Sequence, residues 1–317
     1  MQSCLITGAC GFIGSNVLNY MFDTFKETRF ICVDKMDYCS KVENIRSDIR
    51  TSNRFSFQKL DINETNAMYI LFVTNKVDTI IHFAAQTHVD NSFGNSIQFT
   101  KDNVLGTHSL LEAMRLYGKI KKFIHISTDE IYGEVDLEHK GCSEKTLLNP
   151  TNPYAATKAG AEFLVRSYGH SFNLPYIIIR MNNVYGPNQY PEKLIPKFIM
   201  FLKNNKKCTV HGKGDTRRNF IYTDDVSRAL IIILEKGQNH EIYNIGTKNE
   251  YSVMDILKKL VQQMKPNEDW QDWVEYVEDR NFNDFRYCID YTSLTNLGWK
   301  EEVQFEDGFR KTIESMM

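Results

Sequence analysis

Cys4-Leu-Ile-Thr7-Gly8-Ala-Cys-Gly11-Phe-Ile-Gly14 stands almost at the start of the chain. Its first four residues form a short apolar run, as a buried strand does. Glycines follow at 8, 11 and 14, and a helical stretch from Ser15 to Phe22 comes next. Glycines in this place permit a tight turn and let a diphosphate approach backbone N–H groups at a helix N-terminus. Gly8, Gly11, Phe12, Ile13 and Gly14 are therefore candidate cofactor contacts. The spacing alone also occurs in ordinary turns; the strand before it and the helix after it give it meaning.

The next segments extend the pattern. Arg29 to Val33 reads as a second strand and ends in Asp34, about 20 residues past the last glycine. A carboxylate there binds the adenosine ribose hydroxyls and repels a 2′-phosphate, which favours NAD over NADP. The adjacent Lys35 works slightly against that preference. Phe55 to Lys59 reads as a third strand, followed by Leu60-Asp61-Ile62, where such sheets cover the adenine. Asp78 to Phe83 reads as a fourth and ends in Ala84-Ala85, small enough for a cofactor to approach the backbone. A helix is predicted from about Ile97 to Tyr117, then strands over 123–127 and 176–180. This alternation implies an α/β fold: a right-handed, Rossmann-type doubly wound parallel sheet with ligands at the carboxyl ends of its strands. We assign residues 1–181 to this NAD-binding domain and 182–317 to a smaller C-terminal substrate lobe, with elements free to cross between them. The lobe opens with Asn182 to Pro196, a long polar segment that reads as a functional loop.

A second constellation lies at the end of the fifth strand. Ser127-Thr128-Asp129-Glu130-Ile131-Tyr132 follows the apolar run, and Tyr154-Ala-Ala-Thr-Lys158 comes later. Asn152 as cap and Pro153 at the first helical position start a helix there. Tyr154 and Lys158, four apart, share one face of it. Two adjacent carboxylates facing a Tyr/Lys pair can both remove and deliver protons.

Bulk properties narrow the field. With 42% hydrophobic residues, the 317-residue chain can form a full core, so disorder is not expected. A net charge of −2 provides no basic field for nucleic acid. The cysteines show no C-x-x-C and read as reduced thiols of a cytoplasmic protein, with no disulfide framework and no metal site. Met1-Gln2-Ser3 runs straight into a strand, so no secretory leader is expected, and no apolar run approaches a membrane span. The histidines, His82, His125 and His211 among them, lack metal-ligand spacing and read as structural. Trp270 and Trp273 read as packing.

These residues carry a resemblance. Nearly end to end, the chain resembles the extended short-chain dehydrogenase/reductases, and within them the nucleotide-sugar 4,6-dehydratases. The match covers the glycine loop, Asp34-Lys35, Ala84-Ala85-Gln-Thr-His-Val-Asp90, Ser127 to Gly133, Tyr154 with Lys158, Tyr185-Gly-Pro187, Pro191-Glu-Lys-Leu-Ile-Pro196, Arg218 and Tyr243-Asn-Ile-Gly246. Asp37-Tyr-Cys-Ser40, the run from Ala84 to Ser96, and Arg280-Asn-Phe-Asn-Asp-Phe-Arg-Tyr287 look like the UDP-glucose dehydratase domain of rhamnose synthases. Bacterial dTDP-glucose enzymes usually carry Pro-Gly-His-Asp in place of Asn281 to Asp284. Rhamnose synthases have a further epimerase/reductase domain; a chain ending at Met317 would stop at the 4-keto sugar.

The resemblance implies an NAD-dependent loss of water across C5 and C6 of a hexose. Tyr154, favoured as a phenolate by Lys158, takes the C4 hydroxyl proton. Thr128 bonds the C4 oxygen. Glu130 removes the C5 proton, and protonated Asp129 serves the departing C6 hydroxyl. The resembling 4-epimerases carry small residues where Asp129 and Glu130 stand. Cofactor positions carried over include Lys35, Asp61, Ile62 and Phe83. Substrate positions include Thr87, Asn183, Lys193, Leu194, His211, Arg218, Arg280 and Asn283, with Arg218 pairing the diphosphate. The family has Thr or Asn where Asp102 stands, which puts any cofactor contact there in doubt. A homodimer packed on helices beside the active site is implied too. The same reaction on dTDP-glucose is the nearest alternative; a non-catalytic NAD-binding module is a more remote one, and it would be expected to lose Tyr154, Lys158 or Glu130.

Overall fold

In the computed structural model, residues 1–279 and 283–317 are described. Strands β1 (Ser3–Thr7), β2 (Arg29–Asp34), β3 (Phe55–Lys59), β4 (Thr79–His82), β5 (Lys122–Ile126) and β6 (Ile177–Met181) lie in one sheet. The order is β3-β2-β1-β4-β5-β6, and every neighbouring pair is parallel. Ile242–Ile245 adds a seventh strand, parallel to β6, although it falls late in the chain. The order reverses between β1 and β4. In doubly wound sheets a ligand crevice opens at such a point.

Both faces of the sheet are covered. Cys4 and Ile6 pack into the core beneath helices Phe12–Thr24 and Thr223–Lys236, while Leu5 between them packs into the opposite core. Ile177 and Ile179 divide from Ile178 in the same way. This two-sided burial explains why these strands read as unbroken apolar runs. The second face is closed by helices Thr65–Asn75, Gly106–Tyr117 and Pro153–Phe172.

A third core unites Tyr185, Phe198, Tyr222, Leu257, Phe305 and Phe309. It sits under a three-stranded sheet of Asn183–Tyr185, Arg217–Tyr222 and Glu250–Ser252. Two readings are corrected here. The segment after Asn182 is not all loop: residues 183–185 pair in parallel with 220–222, and a helix begins at Leu194. A three-residue polar strand carries no periodic signal, so only its partner reveals it. The helix expected from Ile97 is interrupted by a π-type segment, Thr100–Leu105, between Ser96–Phe99 and Gly106–Tyr117.

Candidate active site

A cavity of about 260 Å³ opens at the carboxyl ends of the strands. Gly8, Gly11, Phe12, Ile13 and Gly14 line it, with Asp34, Lys35, Asp61, Ile62, Phe83, Ala84 and Ala85. Gly8 has φ +68°, and a Cβ there would lie 2.7 Å from the Ala84 amide nitrogen. A Cβ on Gly14 would lie 2.4 Å from the Gly8 carbonyl oxygen. The turn and helix thus meet with no room for side chains, and backbone is what faces the cavity. Buried Asp34 accepts from the Cys10 and Met36 amides. Its Oδ2 also accepts from the Ser40 hydroxyl at 3.3 Å; of the roughly four acceptor sites of a carboxylate, one on Oδ1 remains for a ribose hydroxyl. This end of the cavity fits a dinucleotide.

Beside Asp34, the Lys35 ammonium donates to Asp102 at 2.6 Å. Buried Asp102 also accepts from Gln86 Nε2 at 2.8 Å and Gln98 Nε2 at 3.0 Å. Gln86 Nε2 reaches Asp37 at 2.7 Å as well. Asp102 is therefore an anchor for its neighbours, which explains an acid at that position.

The opposite wall holds the titratable groups. Thr128, Asp129, Glu130, Tyr154 and Lys158 line the same cavity. The chain turns sharply after β5, and the Thr128 hydroxyl accepts from the Glu130 amide. Asn152 caps the helix Pro153–Phe172 by accepting from the Ala155 amide at 2.8 Å, and it donates to Glu130 at 3.0 Å. Burial, then the Glu130 charge, pushes the Asp129 carboxyl up to about 7, against hydrogen bonds from Asn182 and Thr128 and the Arg218 charge. Burial also raises Glu130, opposed by Asn152, Arg218 and Lys193. The two acids therefore sit in unlike surroundings.

The Tyr/Lys pair differs from expectation. Lys158 donates to the Ile126 carbonyl at 2.6 Å, and burial pulls its ammonium down to about 8. Tyr154 is pushed above its ordinary value by burial, then by the charges of Glu130 and Asp129, against a Thr128 hydrogen bond. In the chain by itself the phenol is favoured, because desolvation of an anion between two carboxyls outweighs the nearby cation.

A second cavity of about 230 Å³ continues from the first, sharing Glu130, Asn183 and Lys193. Leu194, His211, Arg218 and Asn283 line it. Arg218 is held by the carbonyls of Arg217, Asp284 and Phe285, and its guanidinium lies 4.6 Å from the Tyr287 ring centre. Tyr287 donates to Asp284, as does Thr151. Thr87 lies in the first cavity, where its carbonyl accepts from Lys193 at 2.7 Å. Arg280 lies outside the described residues.

Several groups were not read from the sequence as site residues. Asn182 donates to Asp129 at 2.7 Å. Tyr38 packs edge-on against Tyr190 and donates to Glu192 at 2.8 Å, so residues 38 and 190–193 meet across the first cavity. Partners so remote in sequence leave no local pattern; the polar Asn182-Asn183 step was the available hint.

A model of the GDP-mannose 4,6 dehydratase family matches residues 5–312. A trifunctional UDP-glucose 4,6-dehydratase/UDP-4-keto-6-deoxy-D-glucose 3,5-epimerase/UDP-4-keto-L-rhamnose-reductase of Arabidopsis thaliana is 48% identical over 314 residues, which are 99% of this chain and 47% of that protein. The chain thus spans about half the length of the plant relatives it matches. A dTDP-D-glucose 4,6-dehydratase of Dictyostelium discoideum is 45% identical over 353 residues, covering 99% of this chain and 81% of that protein. The crystal structure of the dTDP-glucose 4,6-dehydratase of Streptomyces venezuelae, with NAD bound, has a TM-score of 0.93 and 33% identity, covering 99% of this chain and 96% of that one. Sheet order, glycine turn and these matches agree along nearly the whole length, and the chain belongs to the GDP-mannose 4,6 dehydratase family.

Proposed function

We propose that this chain is an NAD-dependent nucleotide-sugar 4,6-dehydratase that converts UDP-glucose to UDP-4-keto-6-deoxyglucose. The observation that carries the reading is the adjacent pair Asp129 and Glu130, in unlike surroundings, in one cavity with Tyr154 and Lys158. An epimerase has no use for such an acid–base pair; elimination of water needs both members. Bound NAD supplies a reversible hydride acceptor. Tyr154 takes the C4 hydroxyl proton while Thr128 holds the C4 oxygen, and Lys158, one helical turn away, is the cation that favours the phenolate. Glu130 takes the C5 proton. Asp129 hands a proton to the C6 hydroxyl as it leaves. Arg218, Lys193, Leu194, Asn183 and Asn283 bind the nucleotide diphosphate and sugar, in the second cavity.

UDP-glucose is favoured by Asp37-Tyr-Cys-Ser40, Gln86-Thr87 and the residues at 281–284, which resemble the UDP-type enzymes. The same reaction on dTDP-glucose is the second reading, because relatives named for each sugar nucleotide match at similar identity. The enzyme acts as a cytoplasmic homodimer. Ile97, Leu105 and Phe163, exposed along the two helical segments 96–117 and 153–172, supply its apolar contact. Among the described residues, no helix is long and apolar enough to cross a membrane.

The test is direct. Purified protein is given UDP-glucose and dTDP-glucose separately, and the near-ultraviolet absorbance that 4-keto sugars develop in alkali is followed. Signal with UDP-glucose above dTDP-glucose is expected; no signal with either overturns the reading.

A further inference from the structure

Asn182 directly follows β6 and is 3% exposed. Its side-chain oxygen accepts from the Thr247 amide at 3.1 Å. That bond fixes which way the amide faces, since a backbone N–H can only donate. The NH₂ group must then point the other way, and it donates to Asp129 Oδ2 at 2.7 Å. The other carboxyl oxygen, Oδ1, accepts from the Thr128 hydroxyl at 3.3 Å, and a hydroxyl, unlike an amide NH₂, can turn to accept instead. Asn182 also donates its own amide to the Ile245 carbonyl, so its backbone is anchored on the same strand that leads to Thr247.

We propose that Asn182 is a positioning residue that selects the Asp129 oxygen carrying the transferable proton. The Asn182 NH₂ can only donate, so a proton on Oδ2 would weaken that bond, whereas the Thr128 hydroxyl can turn and accept a proton carried on Oδ1. The proton therefore resides on Oδ1, beside Thr128. The inference rests on the dehydratase reading. In the step concerned, Glu130 takes the C5 proton and the C5–H electron pair becomes the C5=C6 bond. The C6–O bond breaks, and its oxygen takes the Oδ1 proton to leave as water. Asp129 is left as a carboxylate, whose Oδ2 charge the Asn182 hydrogen bond stabilises.

Charged and titratable groups approach Asp129 from every side. Among the described residues they are Glu130 on its own turn, Tyr154 on the helix 153–172, Arg218 on the strand 217–222, and the thiols of Cys142 and Cys288. None of them touches Oδ2 as Asn182 does. Burial and the Glu130 charge raise the carboxyl, while the Asn182 bond works to hold it near neutrality.

The experiment compares wild type with Asn182→Leu and Asn182→Asp. Two quantities are followed against pH: 4-keto-6-deoxy product and solvent deuterium entering C5. Loss of one hydrogen bond to a charged group shifts the pH dependence of elimination upward by about one to two units. Asn182→Asp, which keeps the Thr247 bond but faces Asp129 with an acceptor, should shift it at least as far. In both, product falls about tenfold or more relative to C5 exchange. A uniform loss of both signals with an unmoved pH profile overturns the proposal. Should neither variant fold, an atomic-resolution structure of the wild type at acid pH decides it. A longer Cγ–Oδ1 bond supports the proposal, and a longer Cγ–Oδ2 bond overturns it. Wild type that makes no 4-keto product and exchanges no C5 hydrogen with either sugar nucleotide would fail the dehydratase reading instead.

Discussion

The Lys35 ammonium lies 2.6 Å from the Asp102 carboxylate and 3.4 Å from that of Asp37. Lys35, next to the Asp34 carboxylate proposed to bind the ribose, is thereby held by two acids. A 2′-phosphate would meet three carboxylates and a lysine already paired. Replacing Asp102 by Asn should release Lys35 and raise affinity for NADP by roughly fivefold, the worth of a half-exposed ion pair of about 1 kcal/mol. NAD affinity should change less. Fluorescence titration with both cofactors measures the ratio, and an unchanged ratio would mean that the pair does not restrain Lys35.

Glu130→Gln should separate oxidation from elimination. Tyr154 and Lys158 remain, so C4 oxidation persists, while the C5 hydrogen no longer exchanges with solvent. A positioned general base contributes about 10²–10⁴-fold. Deuterium entering C5 at the wild-type rate would speak against Glu130 as the base.

The carboxyl of Asp129, near 7, sets a pH limb. As the proposed general acid it must be protonated, so elimination should fall as pH rises through about 7 and be full below it, down to the point where Glu130 protonates. Product formation should fall about tenfold per pH unit on the alkaline side, while C5 exchange falls less. The pair titrates together, so the profile reports both groups. A flat profile between pH 6 and 9, a range of about three units around that value, would remove Asp129 from the acid role.

Discrimination between UDP- and dTDP-glucose should come from the ribose. A pocket distinguishes one methyl by ~1–3 kcal/mol, but a site that hydrogen-bonds a hydroxyl rejects its absence far more strongly. Asn283, in the second cavity, is the proposed partner. Hence dUDP-glucose should be nearly as poor as dTDP-glucose in kcat/KM, and equality of dUDP-glucose with UDP-glucose would place the discrimination elsewhere.

Phe163→Glu should dissociate the proposed dimer. A charge set into an apolar contact costs the association at least tenfold. Sedimentation equilibrium of wild type and variant checks this; a wild type that is monomeric at micromolar concentration would refute the helix-packed dimer.

Legibility in the sequence followed burial. Phe55–Lys59 stands where its apolar pattern puts it, as do the strand ending in Asp34 and the helix capped by Asn152. The strands Arg217–Tyr222 and Glu250–Ser252 were not anticipated, since they exist through pairing with each other and with 183–185. In the site, the glycine turn, Asp34 and the Thr128–Glu130 turn are local and were readable. The position of the Lys158 ammonium was not: it depends on a carbonyl 32 residues away. Asn182 was missed for the same reason, since its orientation is dictated by Thr247.

The meeting of Tyr38 with Tyr190 and Glu192 bears on how the enzyme relates to its surroundings. In the proposed reaction hydride taken from C4 returns to C6, so no electrons leave in a completed cycle. Contacts that close the cleft keep the borrowed pair inside until it is repaid. Purified protein should then carry NAD, and its turnover should be indifferent to the NAD/NADH ratio outside. Tyr38→Ala should make that ratio matter, coupling sugar conversion to the redox state of the solution.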